Sequence, residues 1–303
     1  MLTCTDEILD TQEYLRTMLL ITDISGHIGL SAARNSLAAG IKVRGVTLKF
    51  DSVGSLAESG AEIVEGNLLE DSVRAEVLDD VSSIVLITKN GPSQVKLETQ
   101  ISAEAEKRGV KHIVKISSID AGPESISPIS SAHYEVELFL SGLNLTTSTI
   151  KPTFFMQNLL RVCDSIKNSD SFSLPLGKAK IGMIDANDIG EIASNIAITK
   201  PLNSQSYLIT GPQLIDLYQV AEKMSEAFGR EIRYLEQSHE EFKHHLANTI
   251  GDPWIVEATS QWYEEIGSGS LEIITDECSE QLGRNPTTIK DFSETYRSAF
   301  QLR

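Results

Sequence analysis

The sequence predicts an α/β fold, a parallel sheet wound on both faces by helices with a smaller, mainly helical lobe after it, and three observations carry that prediction. An apolar run from Met18 to Thr22 ends in a glycine-containing turn, and from His27 to Ala39 apolar residues recur at helical spacing. Five further short apolar runs then alternate with helical stretches as far as Lys151. Beyond Pro152 the alternation loosens, and Pro175, Pro201, Pro212, Pro253 and Pro286 punctuate longer elements.

Taken in order, Met18 to Thr22 reads as the first strand, and Gly40 stops the helix that begins at His27. Val43 to Leu48, Glu62 to Glu65, Ile84 to Thr88, His112 to Ser117 and Thr146 to Lys151 read as the next five strands, with helices between them, notably Gln94 to Arg108. Short strands joined through helices require right-handed crossovers and a sheet covered on both faces. This is a doubly wound parallel Rossmann sheet, whose ligand crevice lies beyond the carboxyl ends of its strands. In the second half, Leu217 to Phe228 ended by Gly229, and the stretches 239–249, 253–266 and 287–300, read as helices. The expected organisation is an N-terminal extension over 1–17, with Ile8, Tyr14 and Leu15 on one side of a short amphipathic helix, then a dinucleotide-binding-type core over 18–152. A substrate lobe over 153–303, partly interleaved with the core, would roof the crevice.

A chain of 303 residues with 41% hydrophobic and 23% charged side chains can bury a substantial core. Acidic residues number 43 against 26 basic ones, a net charge of -17, so the surface field opposes polyanions and nucleic acid is not an expected partner. The short basic stretches Lys107 to Lys111 and Lys178 to Lys180 read as solvated ends of elements. Cys4, Cys163 and Cys278 have no paired spacing, so neither a metal site nor a disulfide framework is expected, and a reducing compartment is. Asp6, Glu7, Asp10 and Glu13 interrupt the first twenty residues, which lack the basic start and apolar run of a signal peptide or membrane span. The expected location is the cytoplasm, without a membrane partner. The pair His244-His245 lies on a charged helix with no ligand spacing for zinc.

Several segments agree, in order, with one family. Thr22-Asp23-Ile24-Ser25-Gly26-His27-Ile28-Gly29 stands where that family has T-G-A-T-G-x-x-G, and Gly66-Asn67-Leu68 where it has G-D-L. Ile116-Ser117-Ser118 ends the fifth strand, His133-x-x-x-Glu137 opens a helix, and Lys151-Pro152-Thr153-Phe154-Phe155-Met156-Gln157-Asn158 matches R-P-x-x-F-M-x-N. Ile184 to Ile189, Leu208 to Pro212 and Gly283 to Pro286 follow as landmarks of the second lobe. From about residue 18 to residue 300 the chain therefore resembles the NmrA-like branch of the atypical short-chain dehydrogenases, with a degenerate glycine motif. The resemblance implies NAD(P)H as cofactor and no metal, with Thr22, Ser25, Gly26, His27, Ile28, Gly29, Lys49, Asn67 and Thr88 at the dinucleotide.

Departures from the family pattern qualify that expectation. In a dinucleotide turn the first glycine permits the tight bend, the second lets phosphate approach and the third lets helix and strand pack. Gly26 and Gly29 are kept, but Asp23 takes the first position, where an aspartate can adopt left-handed angles at modest cost while its charge repels phosphate. Leu48 stands where a basic residue would meet a 2′-phosphate, with Lys49 as the available substitute, and Asn67 replaces an aspartate near the adenine.

The Tyr-x-x-x-Lys pair of most short-chain dehydrogenases is absent, since its lysine position is His133 and its tyrosine position Ile129. Histidine is common there in the NmrA-like group, which marks His133 as acid, base or substrate donor, with Tyr134 and Ser117 beside it as catalytic candidates. Tyr134 lies about 100° further round the helix, so it is not simply the missing tyrosine. Ser118, Phe154, Phe155 and Met156 are the candidates for a substrate pocket, with structural packing as the alternative for each. Asp185 and Asp188 read as helix-start residues that tether the lobes, and Asn158 as a residue that ties its loop down. The implied function is a small-molecule enzyme acting on a conjugated carbonyl, quinone or polycyclic compound in the inter-lobe cleft. It would work either as a reductase of weak cofactor affinity or as a non-redox acid/base catalyst. The alternative is a non-catalytic regulator that senses NAD(P) or another ligand. A homo-oligomer is in view as the assembly, and the regulator reading would add docking onto a protein partner.

Overall fold

Alternation of apolar residues along short strands decides which layer each side chain joins. The computed structural model describes residues 18–50, 53–199, 202 and 204–300; the extension expected over 1–17 lies outside them. Strands β1 (Met18–Ile21), β2 (Lys42–Thr47), β3 (Glu62–Glu65), β4 (Val81–Leu86), β5 (His112–Ile116) and β6 (Thr146–Pro152) follow one another through helices. After β7 (Ser171–Leu174) come β8 (Ser206–Ile209) and β9 (Arg233–Glu236). The main sheet has seven strands in the order β3-β2-β1-β4-β5-β6-β8, every pair parallel. Strand order reverses between β1 and β4, the switch point at which such sheets open a crevice.

Helix α1 (His27–Ala38) precedes the short α2 (Gly54–Glu58) and α3 (Asp71–Val77), which are followed by α4 (Gln94–Lys107) and α5 (Pro128–Ser141). Leu19, Ile21, Val85, Val114 and Ile116 point to one face of the sheet and pack with Ile28, Ala32 and Ala33 of α1. Leu20, Ile84, Leu86 and Ile113 point to the other and pack with Ile101 and Ala105 of α4 and Val136 and Leu140 of α5. Each fully buried aliphatic side chain contributes about 1.5–3 kcal/mol.

Past β6 a 3-10 turn (Met156–Val162) and α6 (Cys163–Ser169) lead outward, and α7 (Ala186–Ile198) returns to the sheet. There it lies against α1, so closely that a Cβ on Gly190 would sit 2.5 Å from the Ile28 carbonyl oxygen. Ser31 Oγ donates to the Asn187 carbonyl at 2.7 Å, and the Ser36 and Ser194 hydroxyls meet at 2.6 Å. Residues 186–198 and 206–209 thus complete the layer that the first half begins. The rest forms a separate core, in which Phe154, Phe172, Met224, Phe242, Tyr263, Phe292 and Phe300 are buried. Its helices are α8 (Leu217–Phe228), α9 (His239–Ile250), α10 (Pro253–Gly267), α12 (Ile289–Thr295) and α13 (Arg297–Phe300), while α11 (Glu277–Leu282), between them in the chain, packs through Cys278 on the sheet's core.

The structure departs from the expected elements at three places. β4 begins at Val81 and not at Ile84, because Val81 is already paired with Met18, and Ser83 with Leu19 and His112, in the ladders. The helix expected over 287–300 breaks at Tyr296. The parallel pair β7–β9, four residues on each side and about sixty residues apart in the chain, gave no local signal.

Candidate functional site

The turn after β1 is built by backbone packing. Gly29 is the indispensable glycine, since a Cβ there would lie 2.0 Å from the Asp23 carbonyl oxygen and 2.9 Å from Ile24 Cα. Asp23 does not take left-handed angles; the non-glycine residues with positive φ among those described are Asp80 and Asp170. The missing first glycine therefore costs the backbone nothing, and what remains of the departure is charge. Asp23 Oδ1 accepts from Ser25 Oγ at 2.8 Å, and Oδ2 lies 3.2 Å from the Cβ position of Gly26, the residue that opens α1. No side chain caps α1, so its first-turn amides are open to an anion.

A cleft of about 670 Å³ begins at this turn. Thr22, Asp23 and Ser25 line it with Thr47, Leu48 and Lys49 after β2, Asn67 after β3, and the loop from Thr88 to Gln94 after β4. Ile255 of α10 reaches it from the second lobe. Of the residues expected at a dinucleotide, Thr22, Ser25, Lys49, Asn67 and Thr88 line this cleft. Ile28 and Gly29 are buried beneath the turn, while His27 is exposed and meets the Tyr296 ring edge-on at 6.5 Å. Thr22 fastens β1 to β4, its hydroxyl donating to the Ile87 carbonyl at 2.5 Å and accepting from the Ile87 amide at 2.9 Å. Asn67 Oδ1 accepts from the Leu69 amide at 3.0 Å and so shapes its own turn. The cleft, the uncapped helix and the Gly29 cradle suit a dinucleotide, with the Asp23 carboxylate as the opposing feature.

At the carboxyl end of β5 the candidates for chemistry converge. His133 is the sixth residue of α5, which starts at Pro128 behind a Ser127 cap, so it lies within the helix and not at its start. The residue is 7% exposed, and Lys115 Nζ and Gln94 Nε2 each lie 3.2 Å from its Nδ1. Burial and the positive charges of Lys115 and Lys151 hold this imidazole well below its ordinary value of 6.5. Lys115 is fully buried, with Nζ 2.7 Å from Oε2 of the equally buried Glu98. Thr88 Oγ1 donates to Glu98 Oε1 at 2.6 Å, joining this group to the cleft wall.

Both serines at the strand end give their protons to carboxylates, which leaves each oxygen as an acceptor. Ser117 Oγ donates to Glu137, whose other oxygen lies 2.8 Å from Lys151 Nζ. Ser118 Oγ donates to Asp120, and Trp262 Nε1 donates to the same carboxylate at 2.9 Å. Tyr134 is half-buried one residue beyond His133. Phe154 is fully buried, stacked on Trp262 at 5.6 Å and edge-on to Tyr263 at 5.6 Å; Met156 is buried in the same core, and Phe155 is partly buried against the sheet's own core.

Asp185 caps α7 by accepting from the Asn187 amide at 2.7 Å, and Gln157, not Asn158, binds it, at 2.7 Å. Asp188 accepts from Arg284 at 2.8 Å and from the Thr287 amide at 2.7 Å, tying the C-terminal segment to α7. Sequence reasoning missed Gln94, Glu98 and Lys115. The available signal was periodicity, since Glu98 shares the inward stripe of Ile101 and Ala105, and Lys115 the inward face of Ile113.

Among the described residues no helix is long and apolar enough to cross a membrane. An NAD(P)H azoreductase of Xenophilus azovorans is 28% identical over 284 residues, covering 93% of this chain and 99% of that protein. An NADPH-dependent quinone oxidoreductase of Escherichia coli, solved with NADPH, has a similar fold, with a TM-score of 0.81 over 92% of this chain and 100% of that one at 18% identity. NmrA, a negative transcriptional regulator solved with NAD, gives a TM-score of 0.74 over 92% and 95% of the two chains at 15% identity. The sequence pattern of the NmrA-like family matches residues 16–293, and with the seven-stranded sheet and the glycine turn in place the chain belongs to the NmrA-like family.

Proposed function

We propose that this protein is an NAD(P)H-dependent reductase of a conjugated carbonyl, quinone, azo or polycyclic small molecule. The observation that carries the reading is that Gln94, which lines the cleft together with Thr88 and the turn before the uncapped α1 N-terminus, meets His133 Nδ1 at 3.2 Å behind that lining. The named activities of the azoreductase and the quinone oxidoreductase support the substrate class.

Bound reduced dinucleotide would supply a hydride, that is, two electrons and the first hydrogen. The first-turn amides of α1 and Ser25 would hold the pyrophosphate, with Lys49 and Asn67 toward the adenosine end. Thr88 and Gln94 would flank the middle of the cleft, and His133 would hydrogen-bond the acceptor oxygen or nitrogen as negative charge develops on it. The second hydrogen of the reduced product would arrive as a proton from water, which Tyr134 and Ser117 would order. Ile255 of α10 lines the cleft from the second lobe and would limit the access of bulk water there.

The test is titration of the purified protein with NADPH and NADH, followed by stopped-flow oxidation of the bound cofactor by a soluble quinone and by an azo dye. Stoichiometric cofactor oxidation supports the reading. Absence of binding up to millimolar cofactor removes it in favour of a non-redox acid/base step. Tight binding without oxidation by any acceptor favours a dinucleotide-sensing regulator.

A further inference from the structure

Lys115 and Glu98 form an ion pair sealed between the sheet and α4, each fully buried. Taking two charges out of water costs several kcal/mol per ion, and a matched apolar pair would serve packing at least as well, so fold stability alone does not account for the pair. Its remaining contacts show what else it does. Lys115 Nζ donates to the Ile116 carbonyl at 2.5 Å and faces His133 Nδ1 at 3.2 Å, and Gln94 Nε2 faces the same ring nitrogen at 3.2 Å. The Gln94 amide nitrogen also faces Glu98 Oε1, at 3.4 Å, which the reversed amide would meet with an oxygen, although the amide oxygen itself is buried without a partner among the described residues. An ammonium group and an amide nitrogen are donors only, so a ring nitrogen that faces both must be the bare one. The proton of the neutral imidazole then resides on Nε2, which has no partner among the described residues and is not among the sealed unpaired atoms.

We propose that Lys115 and Gln94 are positioning residues that hold His133 as the neutral tautomer with its proton on Nε2, which makes His133 a fixed hydrogen-bond donor to the substrate and not the acid or base of the reaction. The tautomer follows from geometry alone; the role toward substrate rests on the reductase reading. The charged groups that face the ring agree with it. Glu98 comes from α4 and is matched by Lys115 of β5, while Lys151 of β6 is matched by Glu137, one turn further along α5. Protonating His133 would add a cation beside Lys115 with no carboxylate left to receive it. Burial opposes the charge in the same direction.

Long-range nitrogen–proton NMR of the histidine-labelled full-length protein reads the tautomer directly, and the His133→Gln spectrum assigns the signal by its loss. The expected result is a bare Nδ1 and a protonated Nε2 that do not change between about pH 5.5 and 8. In the double variant Lys115→Met, Glu98→Gln, which removes both charges together, the Nδ1–H tautomer should appear and grow to at least a tenth of the signal. A wild-type Nδ1–H tautomer, titration near the ordinary histidine value, or an unchanged tautomer in the double variant would overturn the proposal. Kinetics supply the second arm. His133→Gln, which still presents an amide donor, should keep kcat within about tenfold, and His133→Leu should lose about a hundredfold with the cofactor KM little changed. Equal loss in both variants overturns the donor role. If no acceptor is reduced at all, the reductase reading falls, and the NMR arm still decides the tautomer.

Discussion

Replacing Asp23 with asparagine separates charge from shape at the glycine turn. The carboxylate is held by Ser25 Oγ at 2.8 Å beside Gly26, at the mouth of α1 where a pyrophosphate would sit. Asparagine keeps an oxygen for that hydroxyl and the same backbone angles, which are not left-handed in the wild type. With about 5 Å between carboxylate and phosphate and an effective dielectric near 20, the repulsion removed is about 3 kcal/mol. Dinucleotide affinity should therefore rise on the order of a hundredfold in Asp23→Asn, less at high salt. The unliganded protein should move in the opposite direction, because the carboxylate interacts favourably with the α1 N-terminus, an effect of about 0.3–1 kcal/mol. Cofactor fluorescence titrations at low and high salt, together with thermal melts without cofactor, read the two signs. An affinity change below threefold, or an unliganded variant more stable than the wild type, would refute the claim that Asp23 acts as a charge at the phosphate position.

Other substitutions probe the scaffold. Gly29→Ala forces a Cβ against the Asp23 backbone and should cost about 1–3 kcal/mol in denaturant unfolding, with loss of dinucleotide binding. Lys115→Met strands a buried carboxylate and should destabilise by about 3–5 kcal/mol, most of it recovered when Glu98→Gln is added; if the single and double variants unfold alike, the ion pair is not coupled. His112 is buried with its Nε2 against Ser148 Oγ at 2.9 Å, and burial pushes it from 6.5 down to about 4. The unfolded chain thus takes up this proton at higher pH than the folded one, so stability is full above pH 6.5 and declines by up to about 3 kcal/mol as pH falls toward 4. His112→Gln should flatten that decline in pH-dependent melts.

Much of the first half was legible in sequence because strand and helix periods leave separate marks. Leu19, Leu20 and Ile21 form an apolar run since both faces of β1 are covered, and Gly26 and Gly29 mark the turn that follows. The second half was less legible. β7 and β9 are four residues each, and their pairing depends on contacts about sixty residues apart, which leave no local pattern. Phe154 and Met156 illustrate a different limit, because apolar residues in a loop look alike whether they line a pocket or fill a core, and here Trp262 and Tyr263 of α10 surround Phe154.

The sequence by itself determined that the chain would build a wound parallel sheet with a crevice at its switch point, because apolar periodicity and turn glycines are properties of short segments. It also marked Asp23 as a carboxylate at the position where the family pattern has its first glycine. Only the tertiary structure decided that Asp23 takes ordinary backbone angles, and that Gln94, Glu98, Lys115 and His133 meet in one buried group beside the cleft. Each of these residues occupies an inward position of its own element, which periodicity records. Their contact depends on β5 lying beside β4 with α4 and α5 packed over the same face, and no single segment encodes that arrangement.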